Sequence, residues 1–135
     1  MAESISKIPP QSIEAEQAVL GAMLLSKDAI DTAVELLNEH YFYRPAHRKI
    51  YRVIVDLYDK GEPADIVTVS EELTSRGQLE DLGGRTYLAG LTEATPGTAN
   101  TEHYSRIVLE KATLNRLIEA TTAILSRSYE AGQQA

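Results

Sequence analysis

The sequence predicts an all-α fold, and three observations carry that expectation. Chain-breaking residues, namely Pro9-Pro10, Gly61, Gly77, Gly83-Gly84 and Pro96-Gly97, fall at intervals that suit short helices. Between them the apolar residues recur with the period that keeps one helical face inward. The β-branched run at residues 65–69 has no hairpin partner to satisfy its backbone, so a strand there is the weaker reading. With 135 residues, 43% apolar and 24% charged, the chain makes one compact domain and has no room for two full-sized ones. It contains no cysteine, which rules out a disulfide framework, a zinc–cysteine cluster and a thiol nucleophile, and fits a reducing cytoplasm.

After the two prolines, Ser12 can act as N-cap and Glu14 lies in the favourable first turn. A first helix is expected over residues 13–25, with Ile13, Leu20, Met23 and Leu24 largely on one side. Ala15, Ala18, Gly21 and Ala22 add a small-residue surface where another helix can come close. Asp28 can cap a second helix, in which Ile30, Ala33, Val34 and Leu37 repeat at helical spacing. Arg44-Pro45 opens a third, because a first-turn proline loses nothing by lacking its N–H. It should run to about Lys60, with Ile50, Val53, Ile54 and Leu57 inward and Gly61 in the left-handed position that ends it. Thr68 and Glu71 have capping-box spacing for a short fourth helix marked by Val69, Leu73 and a terminal Gly77. Leu82-Gly83-Gly84 reads as a flexible turn into a fifth helix over residues 85–94, with Tyr87, Leu88 and Leu91 inward. From about Thr98 or Asn100 no proline or glycine intervenes until Gly132, so a long sixth helix follows. On it Ile107, Leu114, Ile118, Thr121 and Leu125 form one stripe, with Val108, Leu117 and Ile124 beside it. So wide an apolar face needs a partner helix, from this chain or another.

Charge narrows the partners. The net charge of -7 has the wrong sign for a domain whose main task is gripping phosphates. A local exception is Arg44, Arg48, Lys49 and Arg52, of which the arginines recur every four residues and can share a helical face. A solvated face with an Arg52–Asp56 pair is the simpler reading, and a track for single-stranded DNA is the alternative. Catalytic constellations are missing. His40, His47 and His103 are scattered and suit capping, surface or core roles, while Asp56, Asp59, Glu62 and Asp65 lack calcium-loop spacing and read as a helix end and a solvated turn. Gly83, Gly84 and Gly90 form neither a Walker A sequence nor G-x-G-x-x-G, so no nucleotide cradle is expected. Residues 18–25, the longest apolar stretch, are too few to cross a bilayer, and the first ten residues have no apolar signal core. A cytoplasmic location follows as the default.

Read in order, residues 8–21, Ile-Pro-Pro-Gln-Ser-Ile-Glu-Ala-Glu-Gln-Ala-Val-Leu-Gly, closely resemble the opening of bacterial DnaB-type replicative DNA helicases. The similarity continues through Phe42-Tyr43-Arg44, His47, Ile50-Tyr51, Gly61-Glu62-Pro63, Asp65 and Val67-Thr68-Val69. Leu82-Gly83-Gly84, Tyr87-Leu88, Pro96, Asn100, Tyr104, Ile107-Val108 and Arg116-Leu117-Ile118 complete it, over residues 8–129.

The resemblance implies the helicase's N-terminal domain: a compact orthogonal helical globule followed by a helical hairpin that pairs between subunits into the collar of a hexameric ring. Residues 1–11 would then be a flexible arm, 12–97 the globule, and 98–135 the first arm and the start of the second arm of a truncated hairpin. The RecA-like ATPase domain, with its ATP, magnesium and most of the DNA contacts, would lie outside this sequence, so the chain itself needs no cofactor and no catalytic residue. Implied partners are further copies of the chain, the C-terminal helicase-binding domain of primase and a helicase loader. Tyr87, Arg116, Ile118 and Ile124 are the candidate interface residues. Asn115 departs from the pattern, since the family often carries a second arginine beside Arg116. With its second arm incomplete, the sixth helix should cause weak self-association or pack unnaturally. Light scattering is expected to show an apparent mass that rises with concentration, and a strict monomer throughout would refute it.

Overall fold

The computed structural model describes residues 8–134. Six α-helices follow one another: α1 (Ile13–Leu25), α2 (Lys27–Leu36), α3 (Pro45–Asp59), α4 (Ile66–Ser75), α5 (Gly84–Ala94) and α6 (Thr101–Gln134). Short 3-10 turns at Glu39–Tyr41 and Glu80–Leu82 lie between them, and no strand occurs among the described residues. The all-α expectation holds. None of these helices is long and apolar enough to cross a membrane.

Local chemistry sets each boundary. Ser12 caps α1 by accepting from the Ala15 N–H at 3.2 Å. Ser26 ends α1 and starts α2, donating its own N–H to Ala22 and accepting from the Ala29 N–H through its hydroxyl. Asp28, expected as that cap, lies inside the first turn instead, because a serine two residues earlier already receives the orphan amide. Pro45 opens α3 as expected, and Gly61 ends it at φ +74°. The cap of the fourth helix lies three residues before the expected Thr68. Asp65 accepts from the Thr68 N–H while Thr68 returns a bond to the Asp65 N–H, both at 2.9 Å, so residues 66–69 are the first turn of a helix and not a strand. Gly77, at φ +71°, follows its last turn.

Helix α1 is the hub, packing against α2, α3, α5 and α6. Leu20, Met23, Phe42, Ile50, Ile54, Leu73, Leu88 and Leu91 are fully buried in the core. The small-residue surface expected on α1 receives α5. A Cβ on Gly21 would stand 2.1 Å from the Leu91 carbonyl oxygen, and the Thr95 hydroxyl just beyond α5 donates to the Ala18 carbonyl. On α6 the buried residues are Thr101, Ser105, Val108 and Ala112. Of the expected stripe, Ile107 is half-buried against the core while Leu114, Ile118 and Leu125 are exposed; the small side chains of the neighbouring stripe make the closest approach. Beyond Ala112 the helix leaves the globule, and Leu114, Leu117, Ile118, Ile124, Leu125 and Tyr129 are exposed.

The expected turn into a second hairpin arm does not lie among the described residues, where α6 runs unbroken to Gln134 and Gly132 is not left-handed. Within it no residue presents the positive φ or proline that ends a helix. As for the flexible arm, residues 1–7 lie outside those described, but Pro10 is held, its carbonyl accepting from the Asn115 side-chain amide at 2.6 Å.

Replacing Gly21 by alanine forces a methyl onto a backbone oxygen that cannot rotate away. The strain of about 1–3 kcal/mol exceeds alanine's helix-propensity gain of about 1 kcal/mol, so chemical denaturation should show a net loss of stability; an unchanged or higher midpoint would contradict the close approach. Tyr51 gives a pH signature. Its buried hydroxyl donates to the Leu37 carbonyl at 2.8 Å, and burial pushes its pKa up to about 12 from an ordinary value near 10. Above pH 10 the unfolded chain sheds this proton first and so binds fewer protons than the folded one; stability falls as pH rises to about 12, by roughly 3 kcal/mol. In Tyr51→Phe that part of the alkaline decline should be missing, at the cost of about 1–2 kcal/mol at neutral pH for the lost bond.

Candidate functional site

Helix α3 starts at Pro45 after an N-cap, Arg44, whose side chain makes no capping bond. The Tyr43 and Arg44 amides that lead into it find their acceptor on another helix. Glu16 of α1, only 2% exposed, receives the Tyr43 N–H at 2.6 Å on one carboxylate oxygen and the Arg44 N–H at 3.5 Å on the other. The latter oxygen also lies 2.6 Å from Nδ1 of His47, which is fully buried. On the far side of that imidazole, Nε2 lies 2.6 Å from the Tyr87 hydroxyl of α5. Arg44 and Gln17 both donate to the same phenolic oxygen, at 3.2 and 3.4 Å. With two donors already on that oxygen, its hydrogen points to Nε2, and the tautomer that satisfies every partner carries its own hydrogen on Nδ1, facing Glu16. One relay thus joins α1, α3 and α5. The Tyr87 ring stacks on His47 with centroids 6.0 Å apart, and Gly83 leaves room for it: a Cβ there would meet the Tyr87 Cβ at 2.9 Å. Tyr87 itself is half-buried and packed on the core.

The other candidate interface residues lie on α6. Arg116 places its guanidinium 4.4 Å from the centre of the Tyr41 ring, a cation–π contact that ties the helix to the segment before α3. A groove of about 310 Å³ opens beside it, lined among others by Pro9, Tyr41, Tyr43, Arg48, Arg116 and Ile118. Ile118 is 48% exposed and Ile124 60%, so neither belongs to the core. Tyr87 does not line this groove; Tyr43 does, and its neighbour Arg44 reaches the Tyr87 hydroxyl.

The basic residues of α3 are largely occupied. Arg48 donates to the Phe42 and Tyr43 carbonyls at 2.7 and 3.3 Å, holding the chain that precedes its own helix. Arg52 pairs with Glu39 at 2.8 Å and with Asp56 at 3.0 Å, the latter as expected for a solvated face. Asp56 also meets Arg76, the residue that caps the end of α4, at 2.8 Å. Burial works against the Asp56 charge, but the hydrogen bond from Arg76 and the two positive neighbours outweigh it and hold its pKa below the ordinary carboxylate value. Hydrogen bonding to Glu39 and to Asp56 respectively raises Arg52 and Arg76. Arg44 is exposed apart from its bond to Tyr87, and Lys49 is half-buried. Four positive residues therefore do not form a continuous open track.

Other singled-out residues have structural roles. Asp65 is the cap of α4, and Asp56 is engaged in ion pairs, so these carboxylates are not gathered around one point. Gly83 and Gly84 both have positive φ, and their N–H groups are taken by the Glu80 and Leu79 carbonyls, so they cannot line a phosphate cradle. Gly90 is exposed on α5. His40 and His103 are on the surface, the latter edge-on to Tyr104. Glu16 and the pairing of His47 are what sequence reasoning missed. A signal was present: Glu16 shares the stripe of Leu20 and Met23, and His47 that of Ile50 and Ile54, so each places an ionisable group at a core position.

Residues 8–110 match the family model described as the DnaB-like helicase N-terminal domain. The replicative DNA helicase DnaB of Mycobacterium leprae is 50% identical over 133 residues, covering 98% of this chain and 22% of that protein. The chain spans about a quarter of the length of the curated relatives it matches. Among solved structures, the N-terminal domain of DnaB helicase from Mycobacterium tuberculosis superposes with a TM-score of 0.91 at 52% identity, covering 95% of this chain and 91% of that one. A DnaB-like replicative helicase, studied with its interactions with primase, gives a TM-score of 0.75 at 27% identity over 86% of this chain and 27% of that one.

Proposed function

The chain belongs to the DnaB-like helicase N-terminal domain family, and from that premise we propose that it serves as the ring-assembly and partner-docking domain of a replicative DNA helicase. In this reading duplex unwinding, ATP and magnesium belong to a motor domain outside the 135 residues, and this domain contributes surfaces, in the cytoplasm at the replication fork. Its partners are further copies of the chain in a hexameric collar and the helicase-binding domain of primase, with a loader as a third. Tyr87, Arg116, Ile118 and Ile124 are the proposed contacts.

The observation that carries this reading is the outer part of α6. Six large apolar side chains, Leu114, Leu117, Ile118, Ile124, Leu125 and Tyr129, are exposed along the part of α6 beyond Ala112 among the described residues. Scattered exposed leucines need no explanation, but such a series along one helix marks an interaction surface. That primase is bound by a structurally similar helicase supports the choice of partner.

Mixing the chain with the C-terminal helicase-binding domain of the cognate primase should give a complex by calorimetry. Ile118→Ala should weaken it about tenfold or more, or roughly 1.4 kcal/mol, with unchanged helical circular dichroism; full affinity in that variant would reject the assignment. Single-stranded DNA is expected to bind negligibly, and an affinity falling steeply with salt would favour the Arg44, Arg48, Lys49 and Arg52 face instead.

A further inference from the structure

We propose that His47, oriented by Glu16, is a positioning residue for partner docking: two side chains sealed in the core hold the Tyr87 ring in its docking orientation through the Glu16–His47–Tyr87 relay. The inference rests on the reading of Tyr87 as a docking contact and adds what determines its geometry.

A half-buried tyrosine on a short helix can ordinarily exchange rotamers, and a partner that needs one of them must wait for or impose it. Tyr87 is constrained at several points. Its hydroxyl is fixed by His47, Arg44 and Gln17, its ring stacks on the imidazole, and its Cβ sits against the space that Gly83 leaves open. The imidazole in turn cannot rotate without abandoning Glu16, whose other oxygen is committed to the Tyr43 amide. His47 is 0% exposed and Glu16 2%, so a partner meets neither, yet both determine where the phenol lies. The arrangement is preorganisation by hydrogen bonds from beneath the surface.

The test measures affinity for the primase helicase-binding domain in His47→Asn, His47→Gln and Tyr87→Phe, with Ile118→Ala as the control for the docking face. Tyr87→Phe keeps the ring and cuts the relay, and His47→Asn is too short to reach the hydroxyl. Each should weaken binding about fivefold or more, and the double variant should be no weaker than either single one. His47→Gln, whose amide oxygen can take the place of Nε2, should recover part of the loss. A purely structural role would lower the unfolding temperature while leaving affinity at the working temperature unmoved. Wild-type affinity in Tyr87→Phe, or equal weakness of the Gln and Asn variants, overturns the inference while Ile118→Ala remains weak. Wild-type affinity in Ile118→Ala overturns the docking face itself and this inference with it.

Discussion

The amides of Tyr43 and Arg44 lead into α3 ahead of Pro45 with no side-chain cap from Arg44, and Glu16 of α1 answers both. A carboxylate at that point is favoured twice, by the orphan N–H groups and by the positive end of the helix dipole. The same carboxylate orients His47 in the first turn of α3. Seating α1 and starting α3 are therefore one event, and α5 joins it through Tyr87. A carboxyl group this deep is tolerable because each of its oxygens has a partner, whereas loss of one would leave a buried polar atom unsatisfied. The relay accordingly stands at the centre of the fold, and the apolar cluster of Leu20, Met23, Ile50 and Ile54 closes around it.

The helices themselves were legible because their signals are local. Ser12, Pro45, Gly61 and Gly77 act within a few residues of where they stand, and periodicity needs no partner. Errors arose where two local signals competed. Both Ser26 and Asp28 can cap, as can Asp65 and Thr68, and in each case the earlier residue takes the role: Ser26 already receives the Ala29 amide, and Asp65 brings Ile66 and Val67 into α4. The tertiary chemistry was harder to see. Glu16 and His47 are 31 residues apart, and each taken alone is an ordinary polar residue. Only their shared anomaly, an ionisable group in phase with the core stripe, links them. For the proposed interface, the resemblance supplied the residues, and periodicity supplied only the excess of apolar surface on α6.

That excess divides along the helix in a way composition does not reveal. The rooted part of α6 docks on the globule with Thr101, Ser105, Val108 and Ala112, whose small volumes let the backbones approach closely. The larger residues Leu114, Leu117, Ile118, Ile124 and Leu125 lie beyond. Arg116 over Tyr41 and Asn115 on Pro10 stand where the helix leaves its support. Asn115 uses its side-chain amide to hold the incoming chain at the Pro10 carbonyl.

A rod anchored at one end has a gradient of order along its length. Helices in proteins owe most of their stability to tertiary packing, so the exposed turns beyond Ala112 borrow their persistence from the anchored ones, and their amides should exchange with solvent progressively faster toward the tip. Whatever comes to lie along those turns would then do more than cover them: it would lengthen the portion of the rod that stays wound, and the reach of the helix would become a readout of occupancy.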